Sequence, residues 1–137
     1  MKGMTFPIAL AIAVAALPAA AHHSFDGSFD REQRVRLTGT VTEFSFGNPH
    51  AYFKLAVADA EGTLQEWHIE TTQPLTLERH GWTAESIKAG QTLTIEGWRA
   101  RNGRPYVRLG AMTDAQGSPI ALWLPAGPSP LPPASSS

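Results

Sequence analysis

Histidines are the residues of this chain whose chemistry is most easily put to use, and they stand at five positions. These are His22, His23, His50, His68 and His80. The chain contains no cysteine, so thiolate metal sites, thiol redox chemistry and cysteine nucleophiles are excluded. A neutral imidazole is the commonest protein ligand for metal ions. Metal binding is therefore the chemistry that these residues favour.

The first two histidines follow a segment with the pattern of a secretory signal peptide, Met1–Ala21. It has a positive charge near its start, then an apolar stretch, then small side chains at Ala19 and Ala21, which suit signal peptidase. Cleavage near Ala21 would leave His22-His23 at or next to a free α-amine. The sequence thus predicts a periplasmic or secreted protein.

A free amine beside an imidazole can chelate one metal ion. If cleavage follows Ala21, the amine and ring of His22 form a histidine brace, which a distant histidine usually completes. If cleavage follows Ala20, the amine, two backbone amides and the ring of His23 can form a square-planar site. Both arrangements suit Cu(II), which favours nitrogen donors and tetragonal geometry. Copper or a similar divalent ion is therefore the predicted cofactor.

His50 is the third predicted ligand, because it follows the rigid turn Asn48-Pro49 at the start of a predicted strand. His68 is expected on the outward face of the next strand, opposite Lys54. His50 and Lys54 are four residues apart, about 13 Å at roughly 3.3 Å per residue. Ligands of one ion lie about 2 Å from it, so His50 and His68 are not expected to share a metal. His68 is instead expected on the surface.

His80 precedes a glycine and is expected to cap or pack against a helix end, where its charge would be favourable. Asp26 and Asp30 make no convincing acid and base pair in an N-terminal segment, residues 22–33, that is expected to be extended. The predicted metal ligands are therefore His22, His23 and His50.

The elements that position these residues are predicted to be mostly strands, within one domain at residues 34–124. Apolar and polar residues alternate at 34–46, with Gly39 at a bend, and again at 51–58 and 64–70. A short helix is expected from Pro74 to His80, followed by strands around residues 93–97 and 107–109. This order predicts an all-β fold with one short helix, a five-stranded Greek-key barrel of the OB type. An open antiparallel sheet or sandwich is the alternative.

Both hairpins are expected to have bulged turns with glycine at positive φ. In the first, Gly62 allows Leu55 to face Trp67, so that the apolar faces coincide. The second is expected to turn at Arg101-Asn102-Gly103. Its expected pairs are Ile95 with Leu109 and Gly97 with Val107.

Tryptophans and arginines offer a second kind of surface. Trp67 is expected in the core, and Trp98 points outward beside Glu96 and Arg99, where an exposed ring could stack a ligand; a core or tail-covering role is favoured over ligand stacking. Arginines are dense in the last hairpin, where a solvated surface is the expectation. They are Arg99, Arg101, Arg104 and Arg108.

Charge and length exclude some partners. The formal net charge is −1, which is too close to neutral for a general polyanion binder, so no nucleic acid partner is expected. No apolar stretch reaches the roughly 20 residues that a membrane span requires. Residues 125–137 are rich in proline and serine and are expected to form a flexible tail, or else a spacer that tethers the domain. The oligomeric state is left open.

The residues favour a non-enzymatic binding module, because no nucleophile motif, phosphate loop or dinucleotide fingerprint occurs. A metal-free module that recognises another envelope protein is one alternative. It would depend on Trp98 or Arg101 and not on the histidines. A copper-dependent oxidative enzyme with a histidine brace is the other alternative.

Several short motifs also resemble those of a known family. In chain order they are His22-His23-Ser24-Phe25, Gly39-Thr40-Val41, Asn48-Pro49-His50-Ala51, Arg79-x-Gly81-Trp82 and Gly97-x-x-Ala100-x-x-Gly103. Together, over about Ala21–Leu124, they resemble a family of small secreted bacterial proteins classified only as a domain of unknown function. The resemblance implies a periplasmic, OB-like β domain, and it implies no activity, substrate or site. Ala84 departs from the family, which often has Arg or Lys there.

Overall fold

A computed structural model describes residues 25–120 of the chain. The predicted signal peptide, the histidines His22 and His23, and the proline-rich tail lie outside the described residues. Residues 25–28 form one helical turn. The strands are β1 (Phe29–Ser45), β2 (Tyr52–Ala58), β3 (Leu64–Glu70), β4 (Thr92–Ala100) and β5 (Tyr106–Thr113), and a connecting helix (Pro74–Glu78) lies between β3 and β4.

The five strands close into a barrel in the order β1-β2-β3-β5-β4. All neighbouring pairs are antiparallel except β3 and β5, which are parallel and complete the ring. This strand order and the helix between β3 and β4 make the fold an OB-type barrel. The predicted fold class is confirmed, and the open-sheet alternative is wrong.

The long first strand serves both sides of the barrel because it bends at its middle. Its first half pairs with β4 as far as Thr40, and its second half pairs with β2 from the same residue. A Cβ atom at Gly39 would lie 2.4 Å from the carbonyl oxygen of Ala56, so only glycine allows the two strands this close. β1 begins at Phe29, earlier than the predicted start near Arg34. Within the segment expected to be extended, residues 25–28 form a helical turn instead.

The first hairpin forms as predicted. Leu55 pairs with Trp67, the Asp59 amide donates to the Thr63 carbonyl at 2.9 Å, and Gly62 has a φ of 83°. The turn chemistry and the alternating apolar faces agree on this register, which is why local sequence is enough to predict it.

The second hairpin has a different register from the predicted one. Gly97 pairs with Leu109 rather than with Val107, and Ile95 pairs with Met112 rather than with Leu109. The turn extends to Pro105, which has no N–H to donate to β4 and whose carbonyl instead accepts from the His68 amide at 2.9 Å. A register shift beside Gly97 then adds the further displacement. Because the displacement at Gly97 is by two residues, the side chains of β5 that were expected to point into the barrel still do so.

The core fills the barrel with aliphatic and aromatic side chains from all five strands and the connecting helix. Its fully buried members include Val41, Phe53, Leu55, Ile69, Leu77, Leu93, Ile95, Val107 and Leu109. Trp67 belongs to it, as predicted. Trp98 points outward, as predicted, but it is only 4% exposed because the N-terminal segment covers it, so the exposed, ligand-stacking interpretation is wrong and the covered one agrees with the structure.

The connecting helix ends as its sequence indicates. The amide of Gly81 donates to Glu78, and the amide of Trp82 donates to Leu77, with Gly81 at a φ of 84°. This is the glycine-terminated helix end that backbone sterics favour. His80 is exposed at this end, on a different element from the other described histidines.

Candidate binding face on the barrel wall

Three aromatic rings stack across the outer surface of β2, β3 and β5. His68 lies between Tyr52, at 4.3 Å between ring centroids, and Tyr106, at 4.5 Å. The planes of His68 and Tyr106 are only 9° apart. Tyr106 stands beside His68 because β3 and β5 pair in parallel with these two residues in register. We call Tyr52, His68 and Tyr106 the aromatic row.

A carboxylate, Glu70, lies next to the aromatic row and contacts three side chains. It accepts hydrogen bonds from the Tyr106 hydroxyl and from Nη1 of Arg108 at 3.0 Å. Its Oε1 lies 2.9 Å from Nδ1 of His50. We call these four residues, His50, Glu70, Tyr106 and Arg108, the Glu70 network.

The Glu70 network is semi-enclosed. The side chains of Glu70 and Arg108 are 15% and 17% exposed, whereas that of His50 is 40% exposed. Charged hydrogen bonds that are partly withdrawn from water are stronger and more directional than those on an open surface. The network therefore fixes the Glu70 carboxylate and leaves His50 more open to solvent than Glu70 or Arg108.

On the other side of the aromatic row lies an open ion-pair group. Lys54 reaches Glu43 at 3.0 Å and Glu66 at 3.5 Å, and the Tyr52 hydroxyl donates to Glu43. The hydrogen bond from Lys54 holds the pKa of Glu43 below its usual value, and the same contact raises the pKa of Lys54. Since both groups are solvated, this pairing contributes little to stability.

Burial alters the acidity of two rings in the aromatic row. Desolvation lowers the pKa of His68 below 6.5 despite the nearby Glu70 carboxylate. Desolvation, followed by the hydrogen bond to Glu70, raises the pKa of Tyr106. Both rings are therefore uncharged at neutral pH, and the row is a neutral band between two charged groups.

The N-terminal residues of the described chain pack beside this face. Phe29 stacks on Tyr106 with ring centroids 5.5 Å apart, and Phe25 contacts Phe29 at 5.6 Å and Trp98 at 5.7 Å. Arg101 donates from Nε to the Asp26 carbonyl at 2.7 Å. The chain thus enters the domain at a fixed point on the barrel wall.

Of the three predicted metal ligands, one lies within the described residues. His50 lies in the Glu70 network, while His22 and His23 lie outside the described residues. Within residues 25–120, no group of three histidine, aspartate or glutamate side chains is arranged to hold a metal ion. His68 is opposite Lys54, as predicted, but it is half-buried between two tyrosines rather than free on the surface.

Glu70 and Tyr106 were not predicted as site residues, and Arg108 was expected only as one of the arginines on a solvated hairpin, whereas its side chain is 17% exposed and paired with Glu70. The alternation of β3 does place Glu70 on the outward face with His68. The missing signal is the parallel pairing of β3 with β5, which sets Arg108 directly opposite Glu70. This contact joins residues far apart in the chain, so no local pattern indicates it.

The molecule is thus a small OB-type barrel with a polar and aromatic face where its N-terminal segment docks. The chain belongs to the family of unknown function DUF6152, which it matches over residues 10–108. No curated protein matches the chain. No helix within residues 25–120 is long and apolar enough to cross a membrane.

Two solved structures illustrate the similarity in shape. The mitochondrial single-stranded DNA binding protein Rim1 of S. cerevisiae has a TM-score of 0.47 and 12% identity, covering 61% of this chain and 93% of its own. The small single-stranded DNA-binding protein of Streptomyces coelicolor has a TM-score of 0.42 and 17% identity, covering 62% and 93%. The assignment of the OB-type fold rests on the strand order and pairing described above.

Proposed function

We propose that this protein is an exported, non-enzymatic binding module that holds copper or a similar divalent ion at its processed N-terminus. His22 and His23 supply nitrogen ligands together with the free α-amine, and His50 supplies a third imidazole. The observation that carries the proposal is the docking of Phe25 on the barrel wall, because this residue follows the histidine pair after only one intervening serine.

Phe25 limits how far the preceding histidines can lie from the binding face. Three residues extend at most about 10 Å, at roughly 3.5 Å each. From Phe25, ring contacts run through Phe29 to Tyr106, whose hydroxyl contacts Glu70, which in turn contacts His50. A continuous series of contacts on one face of the barrel therefore joins Phe25 to His50, which supports a site shared by His50 and the residues that precede Phe25.

Titration of the correctly processed protein with Cu(II) tests the proposal. We expect one equivalent to bind with sub-micromolar affinity and to give a d–d absorption band typical of nitrogen ligands. Intact mass and N-terminal sequencing of the exported protein first decide whether it begins at His22 or Ala21. A variant with three residues added before that end keeps both histidines but moves the amine out of chelating range. Equal affinity in this variant would contradict the proposal.

The contribution of His50 is tested separately. His50→Ala is expected to weaken copper binding about tenfold or more, because it removes one of the imidazole ligands. His80→Ala is the matched control, since His80 is exposed at the end of the connecting helix. Equal losses in the two variants would remove His50 from the proposed site.

A metal-free module that binds another envelope protein is the second candidate. It is favoured by the aromatic row, whose three rings are half-buried and in which burial lowers the pKa of His68 and raises that of Tyr106. Such a partner would be lost with Tyr52→Ala and retained with His22→Ala and His23→Ala. The predicted binding surface for such a partner, around Trp98 and Arg101, is replaced by the aromatic row. Trp98 is covered by the N-terminal segment, and Arg101 is hydrogen-bonded to it.

A further inference from the structure

We propose that Glu70 is a positioning residue for His50: it holds the imidazole with the proton on Nδ1 and so leaves Nε2 as the nitrogen that can bind a metal. The role of that nitrogen as a ligand rests on the function proposed above. The choice of tautomer is a property of the metal-free protein and stands on the geometry of the Glu70 network.

Two side chains besides His50, those of Arg108 and Tyr106, donate hydrogen bonds to the Glu70 carboxylate. Arg108 lies directly across the parallel pairing from Glu70 and donates from Nη1 at 3.0 Å. The Tyr106 hydroxyl donates to the other oxygen. Arginine has no acceptor atom, so the Glu70 carboxylate accepts the hydrogen bond in this contact, as it does from Tyr106.

The backbone beside His50 is held just as firmly. The Ala51 amide donates to the Thr72 carbonyl at 2.8 Å, and the Ala51 carbonyl accepts from the amide and hydroxyl of Thr71 at 2.9 and 2.7 Å. Thr71 is fully buried. His50 and Glu70 therefore project from two backbone segments that are tied to each other.

These contacts determine the protonation of the ring. Nδ1 of His50 lies 2.9 Å from Oε1 of Glu70. A neutral imidazole has one donor nitrogen and one acceptor nitrogen, and facing a carboxylate makes Nδ1 the donor. Nε2 then carries the lone pair, on a side chain that is 40% exposed. Carboxylates commonly hold metal-binding histidines in this way, which orients the ring and raises its basicity.

His68 is not held by a carboxylate in the way that His50 is. Both faces of its ring are covered by tyrosines, and no hydrogen bond between its ring and a described carboxylate accompanies the stacking. In contrast to His68, His50 has a ring nitrogen, Nδ1, within 2.9 Å of a carboxylate oxygen of Glu70. The inference therefore applies to His50 specifically.

The tautomer is measured by nitrogen-15 NMR on the metal-free protein at alkaline pH, because only a neutral imidazole has distinct tautomers. Long-range correlations between ring protons and ring nitrogens should show His50 protonated on Nδ1 in the unaltered protein. In Glu70→Ala, His50 should change to the Nε2-protonated form that free histidine prefers. Glu66→Ala is the matched control, because it removes a carboxylate from the same face of β3 that pairs with Lys54 and not with His50.

An Nε2-protonated His50 in the unaltered protein, or an unchanged tautomer in Glu70→Ala, would overturn the inference. If Glu70→Ala fails to fold, Arg108→Leu provides a second test, because it releases the carboxylate while keeping it next to His50. Increased exchange between the two tautomers in Arg108→Leu would support the inference, and an unchanged tautomer population would overturn it.

A copper titration of the same variants separates this inference from the proposed function. Glu70→Ala should weaken Cu(II) binding about 10- to 100-fold, the usual cost of removing a residue that orients a metal ligand. In a His50→Ala background the same substitution should have no further effect. If the unaltered protein binds no copper while the tautomer changes as expected, the positioning role stands and the proposed function fails.

Discussion

At the residue scale, close backbone approach controls where the barrel can form. A Cβ atom at Gly97 would lie 2.1 Å from the carbonyl oxygen of Arg108, closer than any side-chain adjustment can relieve. Glycine has no Cβ atom and therefore allows β4 and β5 to come this close. The sequence marks this position only as a glycine within a strand, which indicates a bulge or a close approach without deciding between them.

Gly97→Ala is therefore expected to destabilise the protein by about 1–3 kcal/mol, since one added carbon must displace backbone in a packed region. Urea denaturation followed by circular dichroism measures the change. Gly27→Ala is the matched control, because nothing lies within 4 Å of a Cβ at that position. Equal midpoints for the two variants would show that the strands can separate without cost.

His68 gives the protein a pH dependence whose sign follows from its burial. Its pKa is lowered in the folded protein and close to 6.5 in the unfolded chain. The unfolded chain consequently binds more protons as the pH falls through this range, so the free energy of unfolding decreases below about pH 6.5. The decrease stops once the pH is below the folded-state pKa.

His68→Phe keeps a ring between the two tyrosines and is expected to remove this part of the pH dependence. Urea denaturation at pH 7.5 and pH 5 should show a smaller loss of stability for His68→Phe than for the unaltered protein. His80→Gln serves as the control because it removes an exposed histidine. The burial argument would be wrong if His68→Phe and the unaltered protein lost stability equally.

At the scale of elements, the N-terminal segment acts as a cover for β4. Phe25 and Phe29 enclose Trp98, which would otherwise expose a large ring on the outside of the barrel. Alternation along β4 correctly predicts that Trp98 points outward. It could not predict the burial, because the covering residues come from the other end of the chain.

Phe25→Ala is expected to uncover Trp98 and to cost about 1–2 kcal/mol, less than the 3–5 kcal/mol of a fully buried phenylalanine because Phe25 is only half-buried. Acrylamide quenching of tryptophan fluorescence should increase. Leu75→Ala removes another large apolar side chain but one that is 56% exposed, so it should leave stability and quenching nearly unchanged. Unchanged quenching in Phe25→Ala would mean that Phe29 alone covers the ring.

The two hairpins show what sequence can predict and where it stops. The first is determined by residues within its own turn and strands, so its register follows from Gly62 and the apolar pattern. The second depends on Pro105, whose carbonyl is used by β3, and on Gly110, which lies under the Trp98 ring. Both are tertiary contacts, and the same is true of Arg108 and Glu70. The fold class was therefore predictable, whereas the contacts of the Glu70 network, including that of His50 with Glu70, were not.

At the scale of the whole molecule, the charge distribution leads us to expect no polyanion partner. The net charge is −1, and the face formed by the aromatic row is bordered by Glu43, Glu66 and Glu70. A phosphate backbone on this face would meet carboxylates instead of free cations.

We expect no binding of a fluorescently labelled poly-dT oligomer in fluorescence anisotropy at 50 mM salt, where electrostatic binding would be strongest. Replacing Glu43 and Glu66 by lysine should not create tight binding, because the rings of the row already stack on one another. Micromolar or tighter binding by the unaltered protein that weakens with salt would contradict this expectation.

The pairing of β1 with both β2 and β4 also bears on when the domain can form. Chains leave a ribosome or a translocation channel N-terminus first, so the first half of β1 emerges long before β4, its partner. The ring closes only when β5 has arrived to join β3 and β4. Topologies with such distant pairings fold slowly. Until about residue 113 has emerged, this chain can form the β2–β3 hairpin but no closed barrel, so the domain can close only after most of the chain has been synthesised.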